Sequence, residues 1–454
     1  MFTHFLPLVS TAALLAILSA GCAGAGSSAT QPAPGLPAVA QNSPAGASAG
    51  RQAHSGTRRT LSAPTCTGTN GTGAFVGGTN NNLALGVASV VAGGYANDAC
   101  DPWSSIVGGY ENGINGTGDG EGFIGGGEHN GLSGYNTDSA IVAGSTNSVT
   151  NYEAAIVAGN ENSVAASDSF IGAGISNTIS SANAQYGAIV SGSQNKLSGE
   201  YGFVGAGLNN TVSGEGAYIA AGGYNTASGE GAVIDGGFNS TAAGTFATIP
   251  GGYVNSAAGT YSFAAGARAS AAQTGTFVWS DGSDGDTVLT SSRAYQFLAR
   301  ASGGVTFWTN AASTIGAQLA PGSGTWASAS DRNLKTDVAR IDDNAVLEKV
   351  DALPISRWSY KTERGVRHVG PMAQDFYAAF GVGEDDKHIT SIDEDGVALA
   401  AIKALHARVV TLGSDNRTLR SENSRLRSRM TALEAHVAAE LTDLRAEVAA
   451  FRDR

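Results

Sequence analysis

Between residues 66 and 270 the apolar residues come in short pairs, each followed by a Gly and, three residues after that, an Asn. "AIVAGSTNSV", "AIVAGNENSV", "FIGAGISNTI", "AIVSGSQNKLSGE" and "FVGAGLNNTVSGE" are copies of this unit. The Asn falls at 80, 97, 112, 130, 147, 162, 177, 195, 210, 225, 239 and 255, and a further copy, "FAAGARAS", lacks it. Such β-branched pairs predict strands of roughly three to five residues, and one copy buries too little to stand alone. Stacked copies bury a continuous apolar column, so the segment predicts a solenoid. Unequal repeat lengths fit insertions at one edge of the coil. Gly permits a tight turn, while Asn either tolerates left-handed backbone or bonds to backbone and to its own copy in the next coil.

The period is lost after residue 270. "GTFVWSDGSDGD", "AYQFLARASGGVTFWTN" and "GAQLAPGSGTWASAS" predict β-hairpins in a connector over 271–329, with Trp279, Trp308 and Trp326 as packing residues. From Ser330 Gly thins out and charges of both signs rise. Apolar positions then recur at 3-4 spacing through Ile402, Leu405, Val409, Leu412, Leu419, Leu426, Met430, Leu433 and Val437. Asn416 and Asn423 fill the two missing a positions. This spacing predicts a coiled coil over 401–454, with a stutter after Val437 and a candidate break at Gly413. The fold class is mainly β, then α.

Composition sharpens this picture. Sixty-four glycines without a Gly-X-Y period exclude collagen, and an apolar fraction of 42% is too high for simple disorder. The net charge of −12 is carried by 66–270, where fourteen Asp and Glu face only Lys196 and Arg268. Such a surface repels phosphate, which excludes nucleic acid as a partner there. The acidic residues sit singly at turns without ligand spacing, so neither a metal nor a cofactor is expected.

"FLPLVSTAALLAILSAGCAGAGSS" predicts a signal peptide over 1–21 and hence export. "LSAGC" resembles the bacterial lipoprotein cleavage box, which implies lipidation of Cys22 and a membrane tether through the Ala/Gly/Ser/Pro-rich linker 23–65. The expected location is the outer membrane or cell surface; ordinary signal cleavage would leave a secreted protein instead. In an exported chain Cys66 and Cys100 are candidates for a disulfide pinning the first repeats, the alternative being two unpaired buried thiols.

The repeats resemble the heads of trimeric autotransporter adhesins. That resemblance implies a left-handed β-roll, three chains side by side, and a protein or glycan of a host or other surface as ligand. Nothing in the chain resembles the membrane barrel that anchors such adhesins, which leaves Cys22 as the anchor.

"SASDRNLKTDV" places Ser330 and Lys335 five residues apart. Taken alone it reads as a solvated loop with a helix cap at Ser330 or Asp331. Together with "GPMAQDF" and "GVALAAIKAL", however, "SDRNLK" resembles the endosialidase-type intramolecular chaperone domain, here over 330–400. The resemblance implies that the segment forms a homotrimer, folds the β-rich chain ahead of it, and releases itself by cutting Ala329–Ser330. By position, Ser330 is then the nucleophile and Lys335 its base, with Asp331 and Asn333 as orienting residues. Ser–Lys pairs are a known alternative to the Ser-His-Asp triad, and a helix beginning at "DRNLK" would bring Lys335 back over Ser330 within one turn. His368 and His388 are nearby candidates whose ordinary role is structural. Two other readings compete: an uncut structural or binding trimer with an inert chaperone domain, and a phage-like glycan-binding spike, which as an enzyme would need a carboxylate pair in a cleft.

Overall fold

The computed structural model describes residues 68–452, apart from 79, 118, 181 and 182. The expected signal peptide, Cys22, the linker and Cys66 lie outside them. The chain divides into two units: one runs to Gly251 and includes Ala257–Tyr261, the other comprises Gly252–Ser256 and the chain from Ser262 onward.

The first unit is a parallel β-solenoid with two stacks of strands. One stack runs from Phe75–Val76 through Ala155–Ile156 to Thr248–Ile249, the other from Leu83–Ala84 through Ser163–Val164 to Thr241–Ala242. Register is constant from turn to turn. Ala155 and Ile156 face Phe170 and Ile171, and Ser163 and Val164 face Thr178 and Ile179. Most strands are two residues long, shorter than the spacing predicts, because the chain turns again after each pair. The second residue points inward. Ile141, Ile156, Ile171 and Ile189 form one fully buried column, and Val149, Val164, Ile179 and Leu197 form the other. Each such side chain contributes about 1.5–3 kcal/mol of apolar burial.

Between the stacks runs a ladder of buried asparagines. Asn162 Oδ1 accepts from Asn177 N at 3.0 Å and from Asn177 Nδ2 at 3.1 Å, while Asn162 Nδ2 donates to Gly174 O at 2.9 Å. The pattern recurs at Asn97, Asn112, Asn130, Asn147, Asn177 and Asn195. Two expected members are replaced. Asn82, not Asn80, begins the ladder by accepting from Asn97 N. Ser240, not Asn239, follows Asn225, whose Oδ1 accepts from Ser240 N. Left-handed backbone belongs to the residue before each ladder position, whatever its type, as at Asn81, Thr146, Asn239 and Val254. The repeat glycines are a separate requirement. Gly159 has φ 114°, and a Cβ there would lie 2.2 Å from Gly174 O.

In the second unit Phe263–Ala267, Phe277–Ser280 and Phe297–Arg300 pair in parallel, with Phe263 opposite Phe277 and Phe277 opposite Phe297. The hairpins expected over this stretch are therefore absent. The phenyl rings stack at 4.6 and 4.9 Å, which rewards the parallel register. The acidic loop between is held by Arg268–Asp286 and Arg300–Asp284 ion pairs. Asp281 accepts from both the amide and the hydroxyl of Ser302 and from Ser283, which holds its carboxyl well below the usual range. Antiparallel pairing starts only with Val305–Trp308, Gly316–Leu319 and Trp326–Ser328. Trp308 and Trp326 are half exposed rather than packed inside.

The helical part follows. Helix α1, Asp343–Ala352, is capped by Asp342, whose side chain accepts from Asn344 N and Ala345 N. A short antiparallel pair, Ser356–Trp358 with His368–Gly370, precedes α2, Ala373–Phe380, which ends on left-handed Gly381. Helix α3, Ser391–Arg452, runs unbroken through Gly413, since one interior glycine costs only about 1 kcal/mol in a helix of 62 residues. It packs on α1 through buried Ala400, Ala401 and Ala404, with Lys403–Asp343 at 2.8 Å and Arg408–Glu348 at 3.3 Å. Beyond these, the apolar seam from Val409 to Phe451 stands exposed.

Candidate active site

Ala329 closes the antiparallel sheet. The strand Trp326–Ser328 pairs with Gly316–Leu319, and Ala329 N donates to Gly316 O at 3.1 Å. Residue 330 thus follows directly on the three-stranded sheet. The next residues make a single 3-10 turn, Arg332–Leu334, not the α-helix that "DRNLK" predicts. Asp331 caps it: its Oδ1 accepts from Asn333 N at 2.9 Å and from Asn333 Nδ2 at 3.1 Å. Lys335 is already extended and Asp337 is left-handed, so the turn cannot propagate.

One turn is enough to close the distance. Lys335 Nζ donates to Ser330 Oγ at 2.7 Å. Nucleophile candidate and base candidate are therefore in direct hydrogen-bond contact, next to the Ala329 carbonyl. Asp331 and Asn333 bond to each other, and so shape the turn that returns Lys335. Both Ser330 and Lys335 are exposed in the single chain.

The histidines lie elsewhere. His388 pairs with Asp385 at 2.9 Å. The carboxyl of Asp385 is held low chiefly by the Lys387 amide and then by His388. His368 stacks on Trp358 at 4.7 Å, with Tyr360 edge-on to both rings. Cys100, which follows the strand Asp98–Ala99, is disulfide-bonded. Among the described residues no group of His, Cys, Asp and Glu could hold a metal ion. Sequence reasoning passed over Gly316. Its carbonyl anchors Ala329, and a Cβ there would meet Phe307 O at 2.0 Å; a lone glycine in a hairpin run carries no signal of that role.

Residues 330–381 match the family described as the chaperone of endosialidase. The match begins on Ser330, takes in "SDRNLK" and "GPMAQDF", and ends on the αL glycine that stops α2. The chaperone segment therefore directly follows a β-solenoid and the three-stranded sheet, and leads into α3. No curated protein matches the chain.

Proposed function

We propose that the chain is an exported, trimeric surface protein whose C-terminal chaperone segment assembles the solenoid head and then cuts itself away between Ala329 and Ser330. The observation that carries this reading is the 2.7 Å contact between Lys335 Nζ and Ser330 Oγ on the first residue of the chaperone segment. In the cleavage, Ser330 Oγ attacks the Ala329 carbonyl carbon while Lys335, as the free amine, takes the hydroxyl proton. The Ser330 nitrogen leaves with a proton returned by Lys335, so that Ala329 is held as an ester on Ser330 Oγ. Water then splits the ester into an Ala329 carboxylate and a chain beginning at Ser330.

An amine can act as base only after losing its ammonium proton, and drying favours the neutral form. The single chain leaves the pair exposed. Packing of neighbouring copies supplies the dry surroundings, which couples cutting to assembly. The exposed seam of α3 supports coiled-coil association, and the family match supports three chains: Leu412, Leu419, Leu426 and Leu433 are all more than half exposed. They occupy d positions that a coiled coil would cover. Cys22 lipidation would tether the mature trimer to the outer membrane, where the head displays its ligand-binding surface.

Intact mass under denaturing conditions tests the reading on a chain expressed from residue 23, beside Ser330→Ala and Lys335→Ala. The expected result is two wild-type fragments meeting between Ala329 and Ser330, with both variants uncut. A trimeric wild type that remains full length would overturn it.

A further inference from the structure

The ladder shows where the solenoid departs from its own rule. Successive positions are mostly fifteen residues apart, as in Asn97→Asn112 and Asn147→Asn162; Asn112→Asn130 and Asn177→Asn195 span eighteen and Asn130→Asn147 seventeen, the first and last of these being consecutive turns. In these two turns the strands lengthen to Gly113–Gly116 and Gly131–Gly134. Beside them lies a groove of about 320 Å³ lined by Thr117, Asp119, Tyr135, Thr137, Tyr152 and Glu153.

The groove is held open from below. Asp101 is only 4% exposed, an unusual residue in an aliphatic solenoid. Its carboxylate accepts from Gly116 N at 2.7 Å and from Asn136 Nδ2 at 2.9 Å. Gly116 precedes Thr117, and Asn136 sits between Tyr135 and Thr137, so a buried polar clamp fixes both inserted loops where they meet the groove. Thr117 N donates to Gly134 O at 2.7 Å, and Glu153 N donates to Thr137 O at 2.9 Å, which ties the three turns together. A preformed concavity of this kind loses little entropy on binding.

The lining specifies the chemistry. Tyr135 is 66% and Tyr152 41% exposed, so both rings offer faces to solvent. Thr117 and Thr137 add hydroxyls, Asp119 adds a strong acceptor, and the Glu153 carboxyl is engaged with Asp168. No aliphatic side chain lines the groove, which disfavours an apolar peptide. Further carboxyls stand near it, with Glu121 bonded to Asp138 and Glu153 to Asp168, and repel anions. Aromatic faces for C–H surfaces, with acceptors for hydroxyl or ammonium protons, describe a sugar site. We infer that this groove binds a neutral or amine-bearing saccharide, with Tyr135 and Tyr152 as the stacking platform and Asp119 as the acceptor. The inference concerns the head alone and holds whether or not the chain cleaves itself.

Saturation-transfer NMR on the full-length protein tests it, with the methyl glycosides of glucose, galactose, N-acetylglucosamine and glucosamine as probes and N-acetylneuraminic acid as the anionic control. Transfer is expected to at least one of the four glycosides and not to the control. It should fall about tenfold in Tyr135→Ala/Tyr152→Ala and persist in the Phe counterparts, as expected where rings supply the binding surface. Asp119→Asn, which leaves the rings untouched, should weaken the same signal and so serves if the alanine variant fails to fold. No transfer to any of the four glycosides, transfer undiminished by these substitutions, or preference for N-acetylneuraminic acid would each overturn the proposal.

Discussion

At the scale of single residues, the solenoid is sensitive to charge as well as to size. Asp98 opens a two-residue strand and is only 7% exposed, and burial pushes its carboxyl up from 3.8 to about 6. A folded pKa above the unfolded value means that the folded head holds this proton more tightly. The associated stability is complete below about pH 3.8 and is lost as pH rises through about 6. Asp98→Asn removes that loss. We expect the variant to exceed wild type at pH 8 by on the order of 1–2 kcal/mol, and the gap to close by pH 4. Thermal melts of both proteins across this range check it, and the difference between them isolates Asp98 from other carboxyls of the same sign, such as Glu121 and Glu153. Equal pH slopes would show that Asp98 stays ionised in the folded head.

At the scale of elements, the Asn ladder makes one solenoid turn depend on the next. Removing the Asn162 carboxamide leaves the buried Asn177 N without its acceptor and takes one hydrogen bond each from Asn177 Nδ2 and Gly174 O, which keep Gly192 O and Asn160 N as partners. Asn162→Ala should therefore cost about 1–3 kcal/mol, chiefly from the one buried amide left unmet. Asn162→Ser should cost less, because Ser240 already occupies a ladder position and accepts the turn without a carboxamide. Denaturant unfolding of the two variants gives the comparison, and equal losses would deny the ladder its structural role. Much of this element was legible in the chain. The Gly–x–x–Asn spacing found the turns, because a parallel stack repeats the same backbone demand at every level. The misreadings at Asn80 and Asn239 have one cause: in "NNN" and "FNS" the letter Asn is ambiguous, and only strand register decides which side chain turns inward. The connector was misread only up to Arg300, where apolar runs broken by Gly fit hairpins and solenoid turns alike; from Val305 the expected antiparallel pairing is present. The groove gave no motif at all, since its six lining residues come from three turns.

At the scale of the whole molecule, the proposed cleavage implies a division of labour between a head built on long-range pairing and a segment built on local contacts. In the solenoid every strand pair joins different turns, as Ala155 with Phe170, so a strand gains its partner only when the neighbouring turn is in place. The chaperone segment draws on local contacts instead: a capped α1, a short hairpin, and a helix that folds back on α1 through Lys403–Asp343. Long-range parallel pairing is the slower process, and a coiled coil that first gathers three chains raises their effective concentration for it. Cutting at Ala329–Ser330 would then leave a head whose folded state outlasts its helper. Heads released from wild-type protein should survive long incubation in moderate denaturant. Once fully unfolded and diluted into buffer, however, they should fail to regain trimer, whereas uncut Ser330→Ala should regain it under identical conditions. Size-exclusion chromatography with light scattering after dilution reads both outcomes. Full recovery of the cut head would mean that the solenoid carries its own assembly information, and that the C-terminal segment does something other than fold it.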